Sequence, residues 1–574
     1  MGLDATSHGG GRPSRRLSMA AWCVLAVSIV LVWFSPFDHP LYPNDEGRYA
    51  AVAARMVDTG DWVVPFFKGQ VHLTKPPLTY WLEGLAVMAF GRTEAAARLP
   101  AMIATTGVLG ILFAFVARRR SLLDATVAVG LYGIMPLAII VGRIGATDAI
   151  LNLWWTLALV SAYLAVETDR LRWRLLLWGS VALAALTKGP LSIGPVGVTF
   201  LWLLAAGRLR DLRRLGFGWS PLAFVPVGLW IWAVSRAGHD VFRVWWMESA
   251  GRADGSLGKH EPWWFYLPIF LIGFFPATAM MTLPWFNMGP GRAVKALRSG
   301  TLESFLVFAV VVPLGVFSAA AGKLPTYILP LAAPLAILVS ANVVGWLERR
   351  FDRPIEGFSP PDVRITVAVC CVLAAAAIPV APLYATELFH DLWRQALVLC
   401  LPAIAAVVAA FLWREPSRRP ILVTCVWAGF TAVWIWTFHV EDRFWEPRSQ
   451  ERVMRLVSER IDRKARVLVI GRFDQTRHFY YGGPIREMGR TPELAALRQE
   501  IGDADACIVD AELWTGLVNE APELRDRLEP LATMPAFLGG EVMVMRVRRE
   551  DGTVSGVVPV ASHPTAWPNG VREP

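Results

Sequence analysis

The stretch Pro43-Asn44-Asp45-Glu46-Gly47-Arg48-Tyr49 places two carboxylates, a cation and an aromatic ring just after the first long apolar segment of the chain. An apolar segment of about 20 residues is long enough to cross a bilayer. The charges that follow it would therefore lie at a membrane surface, beside hydrophobic helices. Because charge in that position is commonly functional, this stretch marks the centre of a candidate site in a membrane protein.

The composition indicates a polytopic membrane protein. Of the 574 residues, 55% are hydrophobic and 26 are tryptophan, which is unusual for a soluble chain of several domains. The formal net charge is +9, but the basic residues occur in short clusters between apolar segments, as in cytoplasmic loops, so we exclude nucleic-acid binding. The six cysteines provide neither a disulfide framework nor a CxxC metal site.

The apolar segments predict about thirteen membrane-spanning helices. The predicted spans are 17–35, 99–117, 123–141, 147–166, 175–188, 190–206, 218–235, 263–287, 302–321, 326–347, 365–384, 395–413 and 420–438. Basic clusters fall in every second connection, on the side of the N-terminus, which predicts a cytoplasmic N-terminus and an external C-terminus. The Lys188-Gly189-Pro190 turn is expected to reverse the chain between the two shortest spans.

The spans and the changes in composition divide the chain into four regions. These are a cytoplasmic N-terminus (1–16), a transmembrane domain (17–440), a small soluble α/β domain (441–550) and a disordered tail (551–574). Two external loops of the transmembrane domain are long, at 36–98 and 236–262. The first is expected to contain short helices that lie on the membrane surface.

The polar residues of the external loops form the candidate site. An enzyme outside the cytoplasm has no nucleotide-activated sugar available, so a donor carried on a lipid phosphate fits best. Four cations would compensate the charge of that phosphate: Lys75, Arg252, Lys323 and Arg48. Asp45 is a candidate general base for an attacking hydroxyl. The chain has no glycine-rich phosphate loop of the nucleotide-binding type.

Several of these residues also have a structural interpretation. Asp45 is equally suited to cap a helix, and Asp148 to complement a helix dipole. Glu46 is expected to face water in the first helical turn. His260 is more typical of a hydrogen-bonding residue than of a metal ligand. Lys323 would also fit a side chain that extends to the membrane interface.

Several motifs, in order, resemble the lipid-carrier-dependent membrane glycosyltransferases of the C-type fold. Within them the resemblance is to the aminoarabinose transferases that modify lipid A. The motifs are PNDEGRYA at 43–50, GDWVVP at 60–65, KPP at 75–77, TKG at 187–189, the 245–265 loop and GKLPTYIL at 322–329. Together they cover about the first 350 residues of the chain.

The resemblance implies an inverting enzyme that moves aminoarabinose or a related sugar from undecaprenyl phosphate to lipid A or another envelope glycolipid. Asp45 would stand beside the acceptor hydroxyl, and Lys75, Arg252 and Lys323 would bind the donor phosphate. The remaining candidates are Asp148 as a second catalytic residue, Arg48 for the phosphate and, for substrate binding, Glu46, Tyr49, Tyr80, His260 and Tyr327. We expect a monomer in a bacterial inner membrane, with its active site in the periplasm.

Two positions depart from the family pattern. Family members tend to have a glutamate before the lysine of the KP motif, where it helps the loop histidine bind a metal; here that residue is Thr74. After Glu248 the chain reads Ser-Ala-Gly-Arg, not the more usual His-Ile-Gln-Arg. We therefore expect catalysis without a metal. The alternatives are a protein O-mannosyltransferase and, more distantly, a carrier-lipid transporter or flippase, which would need polar residues at mid-membrane depth.

Overall fold

The computed structural model describes a bundle of apolar helices followed by a mixed β-sheet. The described residues are 15–33, 40–42, 45–254, 261–278, 290–348, 449–462, 464–471, 474–535 and 540–549. Three predicted spans, at 365–384, 395–413 and 420–438, lie outside them, as does the predicted tail. The count of thirteen spans therefore stays a prediction.

The helices of the first part of the chain match most of the predicted spans. They are α1 (Arg15–Trp33), α2 (Asp45–Thr59), α3 (Leu78–Phe90), α4 (Glu94–Arg119), α5 (Leu122–Tyr132), α6 (Pro136–Gly142), α7 (Thr147–Thr168), α8 (Leu171–Lys188), α9 (Gly194–Ala205), α10 (Ser220–Arg236), α11 (Val241–Asp254), α12 (Tyr266–Gly273), α13 (Pro290–Leu297), α14 (Leu302–Ala319) and α15 (Ala332–Glu348). Among the described residues, six helical stretches are long and apolar enough to cross a membrane, or seven if a bent pair counts as one.

That bent pair is the single span predicted at 123–141. Helices α5 and α6 meet at an angle of 69°. The break falls between Tyr132 and Pro136, and the ring of a proline at the start of α6 fits the first helical turn but could not continue the preceding helix. The predicted span is therefore two helices joined at a sharp break, and the sequence analysis did not predict the break.

The predicted reversal between α8 and α9 is confirmed by the contacts that their ends make with α7. Lys188, at the end of α8, pairs with Asp148 in the first turn of α7. Arg208, just beyond α9, pairs with Glu167 near the end of α7. Since the two contacts lie at opposite ends of α7, α8 and α9 run in opposite directions. The Gly189–Ile193 turn of 3-10 helix makes the reversal.

The two ends of the bundle differ in charge as predicted. One end carries the described basic clusters, with Arg120 bonded to Glu303 at 2.9 Å and Arg208 bonded to the Gly300 carbonyl at 3.3 Å. Residues of the DEGR stretch and of the 74–75 corner lie at the other end, close to Asp148. The helices therefore gather polar residues from distant parts of the chain at one end.

The segment predicted to be the first external loop, 36–98, contains short helices, as expected; their location on a membrane surface stays a prediction. Helices α2 and α3 pack on each other, and α3 packs on α4. A two-stranded hairpin, β1 (Phe66–Phe67) with β2 (Gln70–Val71), precedes the 74–75 corner. The alanines of α2 are fully buried in this contact. Small side chains allow α2 to lie close to its neighbours, so its first turn is held firmly at the end of the bundle.

Residues 449–549, here called the C-terminal unit, form a five-stranded sheet flanked by helices. The strands are β3 (Val467–Ile470), β4 (Ile485–Met488), β5 (Ala506–Asp510), β6 (Leu528–Pro535) and β7 (Glu541–Val547), in the order β4-β3-β5-β7-β6. The helices are α16 (Gln450–Arg460), α17 (Arg477–Tyr480), α18 (Leu494–Asp503), α19 (Ala511–Glu520) and α20 (Leu524–Arg527). Strands β3 and β5 are parallel and buried along their length, as their continuous apolar sequences predict.

Candidate active site

A cavity of about 240 Å³ opens at the polar end of the bundle. Its walls come from the start of α2, the 74–75 corner, the start of α7, the end of α8, α11 and the 322–327 segment. The lining residues are Asp45, Arg48, Tyr49, Thr74, Lys75, Thr147, Asp148, Lys188, Glu248, Gly251, Gly322, Leu324 and Tyr327. The structure therefore brings together in one cavity the segments that the sequence could assign only to the same side of the membrane.

The first turn of α2 supplies one wall of the cavity. Asp45 is the first residue of the helix, and its side chain is 49% exposed and paired with Arg48. The Arg48 guanidinium also lies 5.4 Å from the centre of the Tyr49 ring. Burial opposes the charge of Arg48, but the neighbouring Tyr49 and Asp45 outweigh it and raise the pKa of the guanidinium. Asp45 is therefore accessible from the cavity and fixed in direction by a permanent cation.

Lys75 supplies the second wall. Its ammonium donates a hydrogen bond to the Thr74 carbonyl at 3.2 Å and lies 3.5 Å from a carboxylate oxygen of Glu248. Glu248 lies on α11, and the Trp245 indole of the same helix donates to the Leu73 carbonyl at 2.9 Å. These contacts tie α11 to the corner. Pro76 and Pro77 then restrict the backbone beyond the lysine.

His72 stands behind this wall. One ring nitrogen lies 3.0 Å from the Thr74 hydroxyl. Burial, with the positive charges of Arg48 and Lys75 nearby, lowers the pKa of His72 to about 4. The ring is therefore neutral near pH 7, and the Thr74 hydroxyl is engaged with it.

Asp148 and Lys188 form the third wall. The Lys188 ammonium lies 2.5 Å from an Asp148 carboxylate oxygen and 4.5 Å from the centre of the Tyr327 ring. Sequence reasoning missed Lys188 as a site residue, although the motif Thr187-Lys188-Gly189 was part of the family resemblance. A cation–π contact adds to the ion pair, so Asp148 is fixed from the side of α8.

Three predicted site residues do not line the cavity. Tyr80 is fully buried, and its ring lies 5.8 Å from that of Tyr49, so it supports the wall from behind. The Lys323 ammonium donates to the Glu261 carbonyl at 2.8 Å and is 4% exposed, although its neighbours Gly322 and Leu324 line the cavity. Glu46 is the third.

The expectation that Glu46 faces water was wrong. Its side chain is completely buried and accepts hydrogen bonds from the Arg98 side chain, the Gly145 amide and the Tyr42 amide at 2.7 to 3.0 Å. Arg98 is 2% exposed. A buried carboxylate needs such a set of donors. The pair joins α2 to α4, a role that the sequence did not reveal.

The side chains of two other predicted site residues, Arg252 and His260, are not described. Arg252 lies on α11, next to the lining residue Gly251, but its side chain is not among the described ones. His260 lies outside the described residues. Within the described part of the chain, no three His, Cys, Asp or Glu side chains are grouped as a metal site requires. Metal-independent catalysis therefore stays a prediction.

The described cations and carboxylates of the cavity balance. They form three ion pairs: Arg48 with Asp45, Lys75 with Glu248 and Lys188 with Asp148. A phosphate entering the cavity would add negative charge to a neutral set and would have to draw a lysine or arginine away from its carboxylate. The Lys75–Glu248 contact, at 3.5 Å, is long enough to be exchanged in this way.

Comparison with known proteins places these features in context. The sequence model of the dolichyl-phosphate-mannose-protein mannosyltransferase family matches residues 74–232. The undecaprenyl phosphate-alpha-4-amino-4-deoxy-L-arabinose arabinosyl transferase of Aeromonas salmonicida is 32% identical over 427 residues, 70% of this chain and 74% of the relative. The protein of that name from Edwardsiella ictaluri is 35% identical over 343 residues, 57% of this chain and 60% of the relative.

Among solved structures, two of ArnT from Cupriavidus metallidurans resemble the chain. The apo form gives a TM-score of 0.73 and the form bound to undecaprenyl phosphate gives 0.75. In both, the identity is 19%, and the match covers 92% of this chain and 98% of the other. At that identity the likeness concerns the fold.

Proposed function

The chain belongs to the family of undecaprenyl phosphate-aminoarabinose arabinosyl transferases, and on that premise we propose that the cavity joins the donor phosphate, the sugar and the acceptor hydroxyl. The protein is a glycosyltransferase that uses a sugar linked to a polyprenyl phosphate. Its acceptor is lipid A or another envelope glycolipid. One observation carries this proposal: Asp45 and Lys75, a carboxylate and a cation from separate segments, line the same cavity.

In this proposal the reaction is a single displacement at the anomeric carbon. The acceptor hydroxyl forms a bond to that carbon, the bond from the carbon to the phosphate oxygen breaks, and undecaprenyl phosphate leaves. Asp45, which is accessible from the cavity, takes the proton of the hydroxyl as general base. Attack on the face opposite the phosphate inverts the anomeric centre.

The cations compensate the charge that grows on the leaving phosphate. Lys75 exchanges its contact with Glu248 for the phosphate, and Arg252 supplies the charge in excess of the balanced pairs. Arg48 orients Asp45. Lys323 holds the loop at 261 through its bond to the carbonyl there, and so acts on the phosphate indirectly.

The other cavity residues bind the sugar and the acceptor. Asp148, fixed by Lys188, presents a carboxylate to hydroxyl or amino groups of the substrates. Tyr49 and Tyr327 line the cavity. Burial, with Asp45 nearby, raises the pKa of the Tyr49 phenol. That phenol stays protonated and can donate a hydrogen bond.

The remaining features of the proposal concern topology. The cavity faces the periplasm of a bacterial inner membrane, the chain crosses that membrane thirteen times, and the protein acts as a monomer. The C-terminal unit is a soluble periplasmic domain. The positions of the basic clusters, at the end of the bundle opposite to the cavity, support this orientation.

Mass spectrometry of lipid A and of total envelope glycans, from cells with and without the protein, tests this function. The proposal expects a lipid A species carrying one added sugar that disappears with the protein. A protein O-mannosyltransferase is the second candidate, favoured by the family model that matches residues 74–232. It predicts unchanged lipid A and the loss of hexose from periplasmic proteins, a result that would contradict the main proposal.

A further inference from the structure

The C-terminal unit rests directly on the helix that carries Asp45. Phe479 of α17 is fully buried, and its ring lies in a cluster formed by α2, α3, α4 and the segment before α2. The other members of the cluster are Leu41, Ala50, Ala51, Ala54, Ala86, Val87, Ala96 and Ala97. One aromatic ring from a distant part of the chain therefore fills the space between three helices at the polar end of the bundle.

The contact reaches the first turn of α2 itself. Thr476 lies against Gly47, where an added Cβ would come within 2.6 Å of the threonine methyl and 2.9 Å of its backbone nitrogen. Gly47 lies between Glu46 and Arg48 in the sequence. The Thr476 backbone and hydroxyl are in turn fixed by Asp474, at 3.0 and 2.6 Å. No side chain larger than hydrogen fits at position 47, so the C-terminal unit touches the backbone that bears the candidate base.

The Tyr480 hydroxyl makes two hydrogen bonds close to the first turn of α2. Its hydroxyl donates to Glu94 at the start of α4, at 2.9 Å, and accepts from the Leu41 amide at 3.0 Å. Leu41 precedes the PND segment that leads into α2. The phenol therefore links the entry to α2 with the beginning of α4.

A second set of contacts reaches the opposite wall of the cavity. Glu487 of β4 pairs with Lys68 in the β1–β2 hairpin and lies 3.1 Å from His478. The His478 ring lies 5.6 Å from Phe67, and Phe67 lies 5.9 Å from His72, which bonds to Thr74 beside Lys75. The C-terminal unit thus contacts the supports of both the candidate base and the candidate phosphate-binding lysine.

We propose that the C-terminal unit positions the two walls of the cavity that carry Asp45 and Lys75. Phe479 and Tyr480 are positioning residues that direct Asp45 toward the acceptor hydroxyl. This inference rests on the role proposed for Asp45. Neither side chain lines the cavity, so they act through α2 and take no part in the chemistry. A small displacement of a catalytic group lowers turnover steeply while leaving substrate affinity nearly intact.

Phe479→Ala in the full-length purified protein tests this inference, with Leu497→Ala as its matched control. Leu497 is fully buried in the same unit, in a separate apolar cluster with no residue of the helix bundle. Both variants remove a large side chain, but Phe479→Ala alone loosens α2. In Phe479→Ala we expect kcat for transfer to fall about 10-fold, with KM within twofold of the native value. In Leu497→Ala we expect kcat to stay unchanged at temperatures below the melting temperature of that variant.

Hydrogen exchange of the 45–59 peptide gives a readout independent of activity. It should speed up in Phe479→Ala and not in Leu497→Ala. Phe479→Met, which refills most of the space, should recover most of kcat. Tyr480→Phe, which keeps the ring and removes two hydrogen bonds, should lower kcat about threefold, and it serves if Phe479→Ala does not fold.

Two results would overturn the inference: native kcat and native exchange at 45–59 in Phe479→Ala or Tyr480→Phe, or equal losses of kcat in Phe479→Ala and Leu497→Ala. Failure of the role proposed for Asp45 has a different signature. It would appear as native turnover in Asp45→Asn, whatever the exchange of the 45–59 peptide shows. The two failures are therefore distinguishable.

Discussion

Asp45 and Glu46 are adjacent at the start of α2, but their side chains lie in different surroundings. Asp45 faces the cavity, with nearly half of its side chain exposed, and is paired with Arg48. Glu46 faces the bundle, is completely buried, and accepts hydrogen bonds from a buried arginine and two backbone amides. The two carboxylates carry the same charge one position apart, yet one is available for chemistry and the other is consumed by the fold.

The difference shows that charge at a membrane surface has two uses. Where every oxygen lone pair meets a donor and water is excluded, the carboxylate fixes helices together, and removing one partner leaves an uncompensated charge. Where the carboxylate stays open to a cavity, it can accept a proton from a substrate. The sequence shows both residues in one motif, and only the directions of their side chains separate the two uses.

The largest expected effect is on the buried side. Arg98→Met should lower the free energy of unfolding by about 3–5 kcal/mol, because it leaves the Glu46 carboxylate buried without its main partner. Denaturation in detergent, followed by tryptophan fluorescence, measures the change. Arg118→Met is the control, since Arg118 is exposed at the opposite end of the same helix and bonds to the Ala114 carbonyl in its own helix. Equal, small effects in both variants would remove the distinction between the two carboxylates.

A second expected effect concerns the neutral histidine behind the cavity. The pKa of His72 is about 4 in the folded protein against 6.5 ordinarily, so the unfolded chain takes up the proton first as the pH falls. Stability linked to His72 is present above about pH 7 and should fall by about 2 kcal/mol by pH 5. His72→Asn should remove this part of the pH dependence. An identical pH dependence of unfolding in the native protein and the variant would contradict the assignment.

A smaller effect separates the two lysines predicted to bind phosphate. Lys75→Ala should weaken binding of undecaprenyl phosphate by about tenfold or more, because a charged hydrogen bond is lost from the cavity. Lys75→Arg should not fully restore it, since guanidinium and ammonium differ in geometry. Lys323→Ala, which loses a bond to a backbone carbonyl outside the cavity lining, should change affinity less than Lys75→Ala. The reverse order, measured by titration with undecaprenyl phosphate, would place the phosphate nearer the 322–327 segment.

The smallest expected effect concerns metal. Thr74 supplies a hydroxyl that is already bonded to His72, in place of the carboxylate that family members tend to have. Turnover should therefore survive exhaustive chelation, and Thr74→Glu should raise the affinity for zinc. Stoichiometric metal in the purified protein, together with loss of turnover on chelation, would show that another residue has replaced the missing ligand.

The helices and the separation of charge between the two ends of the bundle could be predicted because they depend on length and composition. A segment of about 20 apolar residues must cross the membrane or be buried in the protein. The basic residues in the connecting loops then indicate which side of the membrane each loop occupies. The reversal at Lys188-Gly189-Pro190 followed from the same counting. The break between α5 and α6 did not, since Gly133 and Pro136 are both tolerated inside membrane helices when neighbouring helices satisfy the backbone.

The sequence predicted which residues belong to the candidate site better than it predicted what each of them does. Of the eleven predicted site residues, six line one cavity, and this required only that the polar loops meet on one side. The six are Asp45, Arg48, Tyr49, Lys75, Asp148 and Tyr327. The burial of Glu46 was not predictable, because its partner Arg98 lies in a different helix and nothing in the local sequence joins them. The contacts of the C-terminal unit with the start of α4 were hidden for the same reason: they join residues more than 380 positions apart.

The central claim is that Asp45 is the general base, and the single-turnover rate of Asp45→Asn tests it most directly. With undecaprenyl phosphate-linked aminoarabinose bound to saturation and lipid A added, transfer should be slower than in the native protein by roughly a hundredfold or more. Folding and the affinity for undecaprenyl phosphate should be nearly unchanged. A rate close to native would contradict the claim and leave Asp45 as a residue that only begins helix α2.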